Sequence, residues 1–173
     1  MTLSKPSSSL DTLEKVTADT VSMSEQSTLL EGTVMLKSFE WKQIEALSGY
    51  FHLYRAVSGT VLFREGDRSD FMCLVLQGRV EVSKEDAHHD FKTVAVVAAG
   101  RSLGEMAMVD HEPRSATARV TEEALLAVLT QQGFSALTRD KPALAVQLLL
   151  KVAQLISQRL RHASGVLVDY LEK

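Results

Sequence analysis

Apolar and polar residues alternate in short runs through the middle of the chain, between residues 54 and 130. In GRVEV, Val80 and Val82 alternate with Arg79 and Glu81, which is the period-two pattern of a half-buried strand. Further short apolar runs are VLFREGD, FMCLVLQ and ALLAVLT, separated by glycines and polar loops with no helical spacing between them. This pattern predicts a mainly β fold, an antiparallel, jelly-roll-like β-roll with flanking helices.

Helical spacing appears on both sides of this region. Upstream, FEWKQIEALSGYF has an apolar face, and Ser38 precedes it as a candidate cap. Downstream, Pro142 suits the first turn of a long helix that runs to Leu171, about 45 Å at 1.5 Å per residue. A small roll cannot cover that length, so the surplus stripe is expected to form a homodimer seam, to bind a partner or to pack back on the roll. The stripe comprises Leu160, Ala163, Leu167 and Tyr170.

Three regions follow from these patterns. Residues 1–28 are rich in Ser, Thr and acidic residues and have no aromatic residue, which predicts a mobile N-terminal tail with a short helix near residues 10–16. Residues 29–135 are expected to form a helix plus the β-roll, and residues 136–173 the C-terminal helices. No internal repeat is present.

Composition narrows the function classes. Of 173 residues, 45% are apolar and 24% charged, and the net charge of -3 argues against non-specific binding to nucleic acid or acidic membranes. The stretch from Ala143 to Ile156 is interrupted by Gln147, Lys151 and Gln154, so it is not expected to insert into a membrane. Cys73 is the single cysteine, which excludes an internal disulfide. With no apolar segment in MTLSKPSSSL, the chain is expected to be cytoplasmic.

The candidate chemistry lies in GEMAMVDHEPRSA, residues 104–116. Glu105 can accept hydrogen bonds from hydroxyl groups, and Gly104 allows a ligand to approach the backbone. Arg114 presents a rigid fork of donors suited to a phosphate, and the neighbouring Ser115 and Ala116 add little bulk. One segment can therefore hold a phosphate at one end and a sugar diol at the other.

This segment resembles the phosphate-binding cassette of cyclic nucleotide-binding domains, whose pattern is Gly-Glu-apolar-small-apolar, a short loop, then Arg-(Ser/Thr/Ala)-Ala. The preceding strands and the long helix after Pro142 match the family in order, over residues 37–165. The resemblance implies that Glu105 binds the ribose 2′-hydroxyl and Arg114 the cyclic phosphate. It assigns the remaining phosphate contacts to backbone N–H groups, and the base to apolar walls. The N–H groups are those of Met106, Ala107, Ser115 and Ala116, and the walls are Leu103, Val75 and Val97.

In this family the C-terminal helix acts as hinge and lid, which is the role expected for residues 136–173. QRLRHAS resembles the helix segment that touches adenine in catabolite activators, which makes Arg159 and Ser164 candidate base contacts. Ala163-Ser164 stands where those activators carry Thr-Ser. Arg159 and Arg161 also fit a solvated helix face.

The resemblance implies a sensor of a cyclic mononucleotide that regulates a separate, unknown protein partner. Ser115 favours cAMP, and cGMP or another cyclic nucleotide is the variant. No DNA-binding segment follows the helix, so direct DNA binding is not expected. The alternative is a ligand-free scaffold in which Glu105 and Arg114 form a structural salt bridge. Walker A, GxSxG and HExxH sequences are absent, so no enzymatic activity is expected. His88 and His89 fit a polar hairpin loop better than a metal site.

Overall fold

The computed structural model describes residues 9–171, which form a short 3-10 helix, seven strands and five α-helices. The 3-10 helix is Ser9–Thr12. The strands are β1 (Glu14–Lys15), β2 (His52–Ala56), β3 (Val61–Phe63), β4 (Phe71–Glu85), β5 (Phe91–Ala98), β6 (Ser102–Leu103) and β7 (Thr117–Thr130). The helices are α1 (Met23–Glu31), α2 (Trp41–Ser48), α3 (Glu105–Asp110), α4 (Gln131–Asp140) and α5 (Pro142–Leu171). The predicted antiparallel β-roll with flanking helices is confirmed.

The long strands β4 and β7 form the centre of the sheet. All pairings are antiparallel, in the order β1-β2-β7-β4-β5, with β3 on β7 and β6 on β4. Along β4, Met72 and Leu74 pack against the helices, while Cys73 and Val75 face the roll interior. Both faces of the strand are buried there, which explains why FMCLVL is an uninterrupted apolar run.

A shared corner bends the two central strands. Gly78 has a φ of +82°, and the register between β4 and β7 shifts on both sides of it. A Cβ at Gly78 would lie 2.2 Å from the carbonyl oxygen of Glu123, so no larger residue fits this corner. The sequence pattern has FMCLVLQ and GRVEV as separate short runs; the structure joins them in one continuous bent strand, β4, because the bulge preserves the pairing.

The segment before residue 29 is structured in residues 9–28, unlike the expected mobile tail. Helix α1 begins at Met23 because Ser22 and Glu25 form a reciprocal capping box. Strand β1 pairs with β2, while Val16 packs on the core beneath the helices and Leu13 on the core inside the roll. The expected helix over residues 10–16 is replaced by the 3-10 helix and β1. Residues 1–8 of the expected tail lie outside the described residues.

Of two predicted helix starts, one is shifted along the chain and the other is confirmed. Helix α2 begins at Trp41, where Glu40 and Gln43 form a capping box, and not after Ser38 as expected. Helix α5 begins at Pro142 as predicted. Its first half packs on the domain through Leu148 and Val152. None of the described helices combines the length and the apolarity needed to cross a membrane.

Candidate functional site

The candidate site starts where β6 ends and α3 begins. Gly104 stands at this junction with a φ of +82°, as the residue before the first turn of α3. A Cβ at Gly104 would lie 2.7 Å from Nη1 of Arg114 and 3.0 Å from the carbonyl oxygen of Phe71. Both the left-handed backbone and the close contact require glycine. Gly104 therefore lets the backbone of one end of the segment touch the arginine of the other end.

Arg114 is almost fully buried, with 4% of its surface exposed. Its Nε donates to Ser69 Oγ at 2.6 Å, its Nη1 to the Gly104 carbonyl at 3.1 Å, and its Nη2 to the Phe71 carbonyl at 2.6 Å. A guanidinium has five N–H donors, so two of them, one on each terminal nitrogen, have no acceptor among these three contacts. These contacts fix the orientation of the fork and use three of its five donors.

Aromatic rings and carboxylates complete the surroundings of Arg114. Its guanidinium lies 4.0 Å from the ring centre of Phe63 and 4.7 Å from that of Phe71. Burial lowers the pKa of Arg114, and nearby groups, including Cys73, Asp70 and Asp67, oppose this shift. The side chain remains a cation at neutral pH, since arginine does not lose its proton in proteins.

The loop between β3 and β4 holds the backbone of Arg114. The Gly66 N–H donates to the Arg114 carbonyl at 2.8 Å, and the Arg114 N–H donates to the Asp67 carbonyl at 2.9 Å. The sequence run VLFREGD ends in this turn, at Gly66-Asp67, but nothing in the run indicates its contact with the arginine. Sequence reasoning also missed Ser69, and its only local signal is its place two residues after this turn.

Glu105 is the buried carboxylate at the other end, with 1% of its surface exposed. The hydroxyl of Ser102 donates to its Oε1, and Nη1 of Arg159 donates to its Oε2 at 2.8 Å. Nη2 of Arg159 also donates to the carbonyl of Ser102 at 2.5 Å. The structure therefore brings the predicted Arg159 of α5 to the predicted Glu105. Sequence reasoning missed Ser102, which links the two.

The carboxylate and the guanidinium have separate partners. In the part of the chain that the structure describes, no ion pair joins Glu105 to Arg114; the ion pair of Glu105 is with Arg159. The salt bridge expected of a collapsed, ligand-free cassette is not formed. Each charged group is instead held by its own set of protein contacts, at opposite ends of the segment.

The other predicted site residues fall into two groups. Those expected to contact the base, Val75, Val97 and Leu103, are buried together in the roll interior. Those of the cassette are Met106, which is exposed, Ala107, which is buried, Ser115, which is exposed, and Ala116, which is half-buried. Ser164 is not at the site: it is exposed, and its hydroxyl donates to the carbonyl of Leu160 one turn earlier in α5.

Two further side chains with possible chemistry are accounted for. Burial raises the pKa of Cys73 to about 12, so its thiol stays protonated in the roll interior and is no nucleophile. His89 lies at the exposed tip of the β4–β5 hairpin, where its Nδ1 contacts Glu85. Among residues 9–171 there is no group of three or more His, Cys, Asp or Glu side chains placed to hold a metal ion.

Both the sequence and the fold are similar to known proteins. The family model described as "Cyclic nucleotide-binding domain" matches residues 55–141. A solved cyclic nucleotide-binding domain from Methylobacillus flagellatus superposes with a TM-score of 0.79 at 28% identity, covering 91% of this chain and 89% of that one.

Two curated relatives are longer than this chain. The cyclic AMP receptor protein of Thermus thermophilus is 28% identical over 134 residues, which are 78% of this chain and 60% of that protein. Lysophospholipase nte1 of Aspergillus fumigatus is 30% identical over 124 residues, which are 72% of this chain but 7% of the lysophospholipase. The chain thus spans less than two thirds of either relative.

Proposed function

The chain belongs to the cyclic nucleotide-binding domain family, and we propose that it is a sensor of a cyclic mononucleotide, with cAMP as its ligand. The observation that carries this proposal is the pair of buried charges at the two ends of one cassette, Glu105 and Arg114, each oriented by the protein. Titration with cAMP, cGMP and 5′-AMP tests it. The cyclic nucleotides are expected to saturate one site per chain, with cAMP doing so at a lower concentration than cGMP. No saturable binding of 5′-AMP is expected.

The chemistry of the two ends matches the two polar parts of the ligand. The cyclic phosphate carries one negative charge, and the two remaining N–H donors of Arg114 suit two of its oxygens. The ribose 2′-hydroxyl can donate to the carboxylate of Glu105. The N–H groups of Ser115 and Ala116 follow Arg114 directly and add donors to the phosphate end. The apolar residues assigned to the base, with Val75 among them, are buried in the roll interior, so a base reaches them only if the cassette opens.

Binding at Glu105 also affects helix α5. In this structure the two carboxylate oxygens of Glu105 are occupied by Ser102 and Arg159. A ribose hydroxyl must share or displace one of these contacts, so occupation of the site changes the hold on α5. A ligand shifts the helix only by its difference in affinity for the two helix positions. We propose that ligand binding at Glu105 changes the position or order of α5 and is transmitted to a partner in this way.

The hold on α5 can be tested with an Arg159→Ala variant. Without ligand, amides in residues 157–168 are expected to exchange with solvent about tenfold faster, because the charge-assisted bonds to Glu105 and Ser102 are lost. Hydrogen exchange read by mass spectrometry measures this. Arg161→Ala is the matched control, since the Arg161 guanidinium donates to the Ser157 hydroxyl one turn earlier in its own helix. Equal exchange in Arg159→Ala and wild type would contradict the role of this contact.

The output surface that we propose is the apolar stripe of α5. Leu160 and Leu167 have 67% and 58% of their surface exposed, so they do not pack back on the roll. Continued toward the N-terminus, the same stripe has the alternating four- and three-residue spacing of a coiled-coil seam. Its exposed members are Leu149, Ala153, Leu160, Ala163 and Leu167, while Ile156 between them packs on the core of the domain. A second copy offers the same stripe, which favours a homodimer over an unrelated partner.

A Leu160→Asp variant tests this homodimer. The wild-type chain is expected to sediment as a dimer at tens of micromolar, and the variant as the 19.0 kDa monomer, because a carboxylate in the seam loses its water. Gln158→Asp places the same charge on the neighbouring exposed face and is expected to leave the dimer intact. A monomeric wild type would contradict the homodimer and leave the stripe to a different protein.

A further inference from the structure

A lysine lies at the phosphate end of the candidate site, outside the cassette itself. Along β4, Val80 and Val82 face the roll interior, and Lys84 is the next residue of the same alternation. The partner residues of those valines on β7 are Val120 and Ala118, both buried. Lys84 therefore continues the inner face of the roll at its open edge, where a polar side chain reaches solvent.

The ammonium group of Lys84 contacts the cassette directly. Its Nζ donates to the carbonyl of Ser115 at 3.1 Å and lies 3.4 Å from Oε1 of Glu65. Lys84 thus contacts the residue that directly follows Arg114, the arginine that we assign to the phosphate. The side chain is about half exposed, with 54% of its surface accessible, so it can change partners without leaving a buried group unpaired.

Carboxylates near Arg114 partly neutralise its positive charge, so a second cation at this end would strengthen the attraction for an anion. The carboxylates of Asp70, Asp67 and Glu105 are all close enough to influence the pKa of Arg114. They offset the positive charge that an incoming phosphate would meet. Glu65 likewise offsets Lys84 in this structure. A phosphate bound to the N–H of Ser115 would be held by the same residue whose carbonyl oxygen contacts the ammonium, and opposite charges so placed attract each other.

From this placement we infer that Lys84 is a specificity-determining residue for the anionic group of the ligand. It provides a positive charge at Ser115, the residue that follows Arg114, and Glu65 pairs with that charge until the ligand arrives. This inference rests on the proposed binding of a cyclic nucleotide. The chemical class it selects is a ligand with a negative charge at the Ser115 end of the cassette, which the phosphodiester of cAMP supplies.

Calorimetric titration of the full chain with cAMP tests the inference, at 50 mM and at 500 mM salt. Lys84→Gln is expected to weaken binding about five- to tenfold at low salt and less than about twofold at high salt, since salt screens an exposed charge. Lys84→Arg is expected to restore most of the affinity. Lys42→Gln removes the same charge from α2, in the helical layer, and is expected to leave binding unchanged. Thermal unfolding of each variant shows whether the fold is intact.

Glu65→Gln gives an independent test with the opposite sign. Glutamine keeps an acceptor for the N–H of Glu85, which Glu65 accepts at 3.1 Å, but no longer shares the charge of Lys84. Binding of cAMP is expected to become about two- to threefold tighter at low salt. Equal or weaker binding would overturn the inference, as would a Lys84→Gln loss that is the same at both salt concentrations. If wild type fails to bind cAMP, the proposed function falls and this inference with it; normal wild-type binding with an unaffected Lys84→Gln overturns the inference alone.

Discussion

Replacing Arg114 with glutamate is expected to abolish cAMP binding, weakening it by at least about 1,000-fold. The change removes the donors that face the phosphate and sets a second negative charge against it. It also turns a carboxylate toward the carbonyl oxygens of Gly104 and Phe71, which now accept from Arg114. The free energy of unfolding is therefore expected to fall by about 3–5 kcal/mol. Calorimetric titration and thermal unfolding measure the two effects.

Because that variant loses stability, Arg114→Lys is the companion measurement. Lysine keeps the positive charge but has no planar fork, so binding is expected to fall about 10- to 100-fold in a folded protein. Arg119→Glu makes the same charge reversal on an exposed residue of β7 and is expected to bind normally. Retention of wild-type affinity in folded Arg114→Lys and Arg114→Glu would contradict the assignment of Arg114 to the phosphate.

Replacing Glu105 with glutamine is expected to weaken cAMP binding about 10- to 100-fold, the usual range for a hydrogen bond to a buried charged group. The more specific consequence concerns 2′-deoxy-cAMP, which lacks the hydroxyl assigned to Glu105. Wild type should prefer cAMP over the deoxy analogue by a similar factor, and Glu105→Gln should reduce that preference several-fold, since its amide oxygen still accepts a hydrogen bond but carries no charge. Competition binding with both ligands measures the four affinities.

The control for Glu105 is a carboxylate outside the site. Glu122→Gln removes an equally charged group that pairs with Arg79 on the surface, and it is expected to change neither affinity. Glu105→Gln also leaves Arg159 without its carboxylate, so thermal unfolding must accompany the titrations. If Glu105→Gln weakens cAMP and 2′-deoxy-cAMP equally, the carboxylate supports the fold of the cassette without contacting the ribose.

Local sequence was sufficient for the parts of the site that lie close together in the chain. Gly104, Glu105 and Arg114 belong to one segment of 13 residues, so residue types and spacing alone indicate their chemistry. The alternation in GRVEV likewise predicted a strand whose neighbouring residues face opposite sides. In both cases the deciding interactions are short-range, and the sequence displays them directly.

The pairing of Arg114 with Ser69 and of Glu105 with Arg159 could not be predicted, because these partners come from distant parts of the chain. Ser69 is 45 positions from Arg114, and Arg159 is 54 positions from Glu105. The helical stripe of α5 allows several rotations, and only its packing on the domain turns Arg159 toward Glu105 and leaves Ser164 in solvent. The packing of residues 9–28 on the domain is a long-range effect too, since their polar composition resembles that of a tail.

The competing hypothesis is a ligand-free scaffold, and the geometry at Arg114 distinguishes it from a sensor. A scaffold requires neither a guanidinium with unused donors nor a glycine in close contact with it. Both features are present at Arg114 and Gly104. For the scaffold, charge reversal at Arg114 would alter stability but leave the association of α5 with its partner unchanged. For the sensor, it would remove every effect of cAMP on that association.

The most direct test of the central claim is calorimetric titration of the purified wild-type chain with cAMP, at two temperatures and with 5′-AMP as the non-cyclic control. We expect saturable binding with one site per chain for cAMP and none for 5′-AMP. Cyclic AMP at 100 times its Kd should also add about 2.7 kcal/mol to the free energy of unfolding. Absence of heat at both temperatures, together with an unchanged Tm in the presence of millimolar cAMP, would contradict the account.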